Sequence, residues 1–148
     1  VLGQLLFITF ILFFYYKLAL SGNYAGWNAK PLISGYVEGD TTGNRNFAVH
    51  ALVAAVMTLA GLFQLVPAIR SKWPIFHRWS GRLFLSTALF LSVGGLWLTW
   101  VRGSYMTVIG AVAISLDAVL IIAFGFMAWR TARARNFAAH RRLSLIHI

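Results

Sequence analysis

His77 and His140 are the residues of this sequence best placed to do chemistry, because each is an imidazole set directly before an arginine. His77-Arg78 is followed by Arg82, and His140 opens the run His140-Arg141-Arg142. Two neutral imidazoles that face one another can supply both axial ligands of a haem b iron, and guanidinium groups such as those of Arg78, Arg82 and Arg141 suit its propionates. The same arginines suit the phosphates of anionic lipid headgroups, which they hold through charge-assisted hydrogen bonds. A third reading gives them no ligand and leaves them only to set topology.

Asp117 is the second chemical feature. It lies near the middle of a long apolar run, where a carboxylate costs at least ~2.5 kcal/mol on insertion scales. Thr58 and Ser92 sit near the middles of two other apolar runs and so share its depth, and Gln64 adds an amide further along the run of Thr58. Either Asp117 is a neutral, hydrogen-bonded acid that locks helices together, or it belongs to a polar path for protons or ions. His50 stands apart. About twenty helical residues at ~1.5 Å each separate it from Arg70 by roughly 30 Å, so it cannot share a ligand with His77 or His140. It reads as a hydrogen-bonded interior residue or as a separate site.

Other chemistry is excluded by composition. The chain has no cysteine, which removes disulfides, thiolate metal sites and thiol catalysis. Its three acids, Glu38, Asp40 and Asp117, are too few and too scattered for a metal–carboxylate centre, and no nucleophile–base pair is evident.

The elements that position these residues are transmembrane helices. Of 148 residues, 59% are hydrophobic and only 11% charged, where soluble domains carry about 25% charged residues. Four apolar runs, 2–20, 47–69, 83–101 and 106–129, each have the ~20 residues a helix needs to cross a hydrocarbon core. They lack strand alternation, and lipid cannot satisfy open backbone groups, so the spans are helices. The fold class is all-α: a single polytopic membrane bundle of at least four spans. The first run has no small-residue cleavage site after it and reads as a retained helix.

Nine of the thirteen lysines and arginines fall in the connectors 70–82 and 130–142. Two spans separate those connectors, so both lie on one side, and the positive-inside rule makes that side the cytoplasmic face of the inner (plasma) membrane. Segment 21–46, with Glu38 and Asp40, is then external. The net charge of +10 is gathered in connectors and not over a basic face, which argues against a nucleic-acid partner. Tyr15, Tyr16, Tyr24, Trp27, Trp97, Trp100 and Tyr105 form one aromatic belt, with Trp73, Trp79 and Trp129 forming the other.

Five glycines between 21 and 46 predict an irregular loop there. Residues 102–105 allow only a tight turn, so the third and fourth spans form an antiparallel hairpin. Small and polar residues at helical spacing predict the inward faces: His50, Ala54, Met57, Gly61 and Gln64, then Ala88, Ser92, Gly95 and Thr99, then Gly110, Ala113 and Asp117.

His50, Gly61, Gln64-Leu65-Val66-Pro67-Ala68-Ile69-Arg70, Pro74-Ile75-Phe76-His77-Arg78-Trp79-Ser80-Gly81-Arg82 and His140-Arg141-Arg142 together resemble a family of uncharacterised bacterial membrane proteins. The resemblance covers roughly residues 45–142, and its most specific part is His-Arg-x-x-Gly-Arg. In that family a tryptophan follows the closing His-Arg-Arg, where Leu143 stands here, so 143–148 reads as an adapter-derived tail and a fifth span is expected to be truncated. The family is similar in layout to cytochrome-b-like bundles. The resemblance implies that His50, His77 and His140 matter and implies no particular activity. The first expectation is a multi-pass subunit or scaffold, not a stand-alone enzyme, with lipid and other membrane proteins as partners. A haem b electron carrier using His77 and His140 is the alternative, and a small transporter or proton pathway centred on Asp117 is the next.

Overall fold

The computed structural model describes residues 2–29, 34–104, 107–136, 138–140 and 142. Arg141, Tyr105 and the tail 143–148 lie outside the described residues.

Among the described residues, four helices are long and apolar enough to cross a membrane. Helix α1, Leu2–Leu20, contains a π-helical stretch at Ile11–Tyr16. That wider turn brings two successive tyrosines onto the next span. The Tyr16 hydroxyl donates to the Ala48 carbonyl at 2.7 Å, and the Tyr15 ring meets Phe47 edge-on with centroids 5.4 Å apart. Helix α2, Thr41–Leu65, begins where the Asp40 carboxylate accepts the Gly43 N–H at 2.8 Å, satisfying one of the donors every helix start leaves open. It ends at Val66, extended because Pro67 follows.

The short α3, Pro67–Lys72, and the long α4, Pro74–Trp100, both open on proline, which costs nothing at a first helical position because that N–H has no partner anyway. Helix α5, Val108–Arg133, starts where Thr107 Oγ1 accepts the Gly110 N–H at 3.0 Å. Among the described residues there is no strand. The protein is an all-helical polytopic membrane bundle.

Two expectations about connectors need correction. Segment 70–82 is helical except at Trp73, so His77, Arg78 and Arg82 stand on the first turns of α4 and not on a loop. Hydropathy marks where lipid ends, and the hydrogen-bonding ladder of a helix runs past that point. Segment 21–46 is not irregular throughout its described residues. It holds a 3-10 helix at Tyr24–Ala29, buries Trp27, and pairs two side-chain amides with backbone as a strand would. Asn28 exchanges two hydrogen bonds with Tyr36, at 2.7 and 2.9 Å, and Asn44 does the same with Val37 at 2.7 and 2.9 Å.

Helix α4 is the centre of the packing, with α2 on one flank and α5 on the other, and α1 lies against α2. Small residues set the approach. A Cβ on Gly61 of α2 would lie 3.1 Å from the Phe84 ring of α4, so the glycine accommodates the ring. The α2 and α4 stripes point inward as expected, with Gly61, Ala88, Ser92 and Thr99 buried. The α5 stripe does not. Ala111, Ala118, Gly125 and Ala128 form its packed face, while Ala113 and Asp117 are exposed. Ile109 is 84% exposed and Val119 56%, as befits side chains whose solvent is lipid.

Candidate functional site

The basic end of the bundle gathers most of the residues singled out above. Gln64, in the last turn of α2, donates through Nε2 to Ser80 Oγ at 2.5 Å and to the His77 carbonyl at 3.1 Å. Gly81 makes this possible, because a Cβ there would sit 3.1 Å from Gln64 Oε1. The amide therefore clamps α2 to the first turns of α4 and places the His77 backbone. The His77 ring is half-buried, and its Nδ1 is buried without a hydrogen-bond partner.

His140 reaches the same end by a chain reversal. The last turn of α5 closes with Arg135 N–H on the Ala132 carbonyl at 3.1 Å and Asn136 N–H on the Thr131 carbonyl at 3.0 Å. Asn136 then caps the next helical turn by accepting the Ala139 N–H at 3.1 Å. His140 thus folds back along α5, and its Nδ1 lies 2.9 Å from the Ala128 carbonyl. A carbonyl only accepts, so Nδ1 carries the proton and Nε2 is the basic nitrogen of the ring. His140 and Arg70 both lie within electrostatic range of His77.

The arginines expected around that pair are distributed otherwise. Arg78 and Arg82 are exposed, and the Arg82 guanidinium stacks 4.9 Å over the Trp79 ring. Arg133 does the same over Trp129 at 5.5 Å. Arg70, which was not among the arginines assigned to the pair above, lies within electrostatic range of His77. The fold-back of the chain after α5 carries no pattern that hydropathy could detect.

His50 lies on α2 against Gly94 and Gly95 of α4, whose Cβ atoms would come within 3.4 and 3.5 Å of its ring. Its Nδ1 is buried without a hydrogen-bond partner, so the ring is packed in the interior but not bonded there through that nitrogen. Thr58 and Ser92 bond the carbonyls of their own helices, Ala54 at 2.8 Å and Ala88 at 2.9 Å. Asp117 is exposed on α5. Among the described residues no hydrogen bond joins Asp117 to Thr58 or Ser92. Among the described residues no group of three or more His, Asp or Glu side chains is placed to hold a metal ion.

The opposite end is closed by a residue that sequence reading passed over as part of a turn. Arg102 is 3% exposed, and all five of its N–H groups are engaged. Nε donates to Asp40 Oδ2 at 2.8 Å, Nη1 to the Ser34 carbonyl and Ser104 Oγ, both at 3.2 Å, and Nη2 to the Gly35 carbonyl at 3.3 Å and Asn44 Oδ1 at 2.6 Å. The hydrogen bond from Arg102, and then that from the Gly43 N–H, holds the Asp40 carboxyl below the usual carboxylate range. This cluster is saturated, so it is a fastening and not a site for a ligand.

No curated protein and no solved structure matches the chain. The stretch that carries the His77–His140 pair, Arg70, His50 and Asp117 matches one family. That match, over residues 47–146, also takes in Leu143 to Ile146, which were set apart above as a tail. The chain belongs to the family of predicted membrane proteins designated DUF2306.

Proposed function

We propose that this chain is a helical subunit of a larger membrane assembly, with no catalysis of its own. The observation that carries the reading is the exposure of Asp117 on α5. A carboxylate near mid-span facing lipid costs several kcal/mol on any scale, and intramembrane acids ordinarily face a bundle interior. A neighbouring subunit supplies that interior. In this reading the basic end faces the cytoplasm of a bacterial plasma membrane, with Arg82–Trp79 and Arg133–Trp129 seated among anionic headgroups. The test is the native mass of the chain carried out of its own membrane in polymer-bounded lipid discs. A particle larger than one 16.5 kDa chain, reduced in Asp117→Leu, is expected. A monodisperse single chain sinks the reading.

A second reading is favoured by one specific juxtaposition. His77 and His140 lie within electrostatic range of each other at the basic end, and the Ala128 carbonyl fixes the tautomer of His140 with Nε2 basic. A protein-bound metal ion needs three or more side chains, but haem brings four ring nitrogens of its own and asks the protein for two. Two histidines at one end are the number that such an axial ligand set requires. Haem b would supply one-electron chemistry there, while the chain's part is to orient the two imidazoles through the Gln64 clamp and the Ala128 carbonyl. Protein purified from haem-replete cells should show a Soret band that disappears in His77→Ala and in His140→Ala. An unpigmented preparation ends this reading.

A further inference from the structure

We infer that Asp117 is the docking point for a partner's transmembrane helix that carries a lysine or arginine at mid-membrane depth. The inference rests on the subunit reading and names the chemistry of the partner.

Position comes first. Asp117 is nine residues into α5 from Val108, roughly 14 Å along the axis at ~1.5 Å per residue, so it sits near the middle of the hydrocarbon. Among the described residues it has no ion pair, and it lies on the exposed surface. Its neighbours on that edge of the helix are Gly110 and Ala113 toward one end and Ile121 toward the other. Two small residues beside an acid let another backbone approach closely enough for a buried ion pair.

The surrounding shape suits a helix. Both α2 and α5 pack on α4, which leaves a furrow between them. Met57 forms one wall, Leu85 and Ala88 the floor, and Ile121 and Gly125 the other wall. Asp117 lies one turn beyond Ile121, at the rim of this apolar trough. A helix laid along it would bury its apolar face on α4 and bring one side chain against the carboxylate.

Charge selects the occupant. In lipid a carboxylate is best relieved by an opposite charge, because pairing removes the cost of both ions together. A second copy of this chain cannot provide that charge: its lysines and arginines all lie in connectors or toward helix ends, and none falls between residues 83 and 101 or 103 and 129. Two copies would oppose Asp117 to Asp117. The partner is therefore a different chain with a basic residue inside its span.

The experiment uses labelled full chain in phosphatidylcholine vesicles with synthetic leucine–alanine helices that carry either lysine or leucine at the central position. Energy transfer reads association in the bilayer. The lysine peptide should bind about tenfold more tightly than the leucine peptide. That preference should vanish in Asp117→Leu and persist in Asp117→Glu, which keeps the charge and guards against a folding defect in the leucine variant. Equal binding of the two peptides overturns the inference, as does a lysine preference that survives Asp117→Leu. Asp117-dependent self-association without peptide binding overturns it in favour of a second copy. The native mass separates the two ideas. A multi-chain particle that depends on Asp117, beside peptides that bind alike, keeps the subunit reading and discards the basic helix. A single-chain particle beside a lysine preference does the reverse.

Discussion

The Arg102 guanidinium and the Asp40 carboxylate, 62 residues apart in sequence, are joined at 2.8 Å at the end of the bundle opposite the histidines. This bond ties the turn between α4 and α5 to the cap of α2. The two partners are unequal: the Arg102 side chain is 3% exposed and that of Asp40 33%. Replacing the arginine leaves two carbonyls, an amide and a carboxylate to find new donors, whereas replacing the acid removes one of five bonds. Arg102→Met is therefore expected to destabilise the protein by on the order of 3 kcal/mol, and Asp40→Asn by distinctly less. Thermal unfolding of both variants in one detergent checks the ranking. Equal losses would show that the ion pair, and not the full set of bonds, does the fastening.

Acid should loosen the same end. The Asp40 carboxyl is held down in the folded protein by the hydrogen bond from Arg102 and by the Gly43 N–H. A group whose folded value is lowered contributes stability above its unfolded value, about 3.9 for Asp, and loses it as pH falls through the folded value. The thermal midpoint should therefore be insensitive to this pair between pH 5 and 8 and fall below about 4. Asp40→Asn should show a shallower acid limb than the wild type. An identical limb in both would assign the acid loss to other groups.

Gly43 offers a steric test of that cluster. A Cβ there would run into the Asp40 carboxylate and the Arg102 guanidinium. Neither atom group can move without breaking bonds already made, so Gly43→Ala should destabilise more than Asp40→Asn, despite the usual gain of about 1 kcal/mol when alanine replaces glycine inside a helix. A stabilised Gly43→Ala protein would mean that the cap is loose.

These residues show what sequence can and cannot reveal in a membrane protein. The four spans were legible, because lipid imposes length and apolarity on each helix independently of its neighbours. That His77 and His140 lie at the same end of the bundle was expected from the even number of spans between their connectors. Arg102 was not recognised, since its partners come from three separated segments and a cation beside a turn resembles any other. Asp117 was assigned to the inside because its stripe contains Gly110 and Ala113. Helix α5 instead packs through Ala111, Ala118, Gly125 and Ala128, an equally small set rotated around the same helix. Where two faces of a helix are both lined with small residues, periodicity gives no means of choosing between them.

At the basic end, Gln64→Leu should separate the clamp from the histidine. Ser80 Oγ still reaches the His77 carbonyl at 3.2 Å within its own helix, so no polar group is stranded. The loss should stay near ~1 kcal/mol, the net worth of an ordinary hydrogen bond. The α2–α4 register at Gly81 should nevertheless loosen, read as faster exchange of the Ser80 and Gly81 amides. Unchanged exchange would place the hold on α4 elsewhere, for instance in the Phe63–Phe76 ring contact at 5.2 Å.

The reversal that delivers His140 contains a residue in an unfavourable conformation. Arg135 has φ 55, the left-handed region, at the position where a helix end of this kind usually carries glycine. Its N–H and that of Asn136 close the double hydrogen bond back to Ala132 and Thr131. Glycine adopts that conformation without a Cβ penalty, so Arg135→Gly should stabilise the turn, offset in part by the greater freedom of glycine in the unfolded chain, for a net gain of up to about 1 kcal/mol. Arg135→Val, β-branched and poorly tolerated there, should destabilise it by more than that. Exchange protection at the Asn136 and His140 amides measures both effects directly. If Arg135→Val protects those amides as well as the wild type does, the turn does not hold His140 against Ala128, and its placement beside His77 must come from the residues that follow.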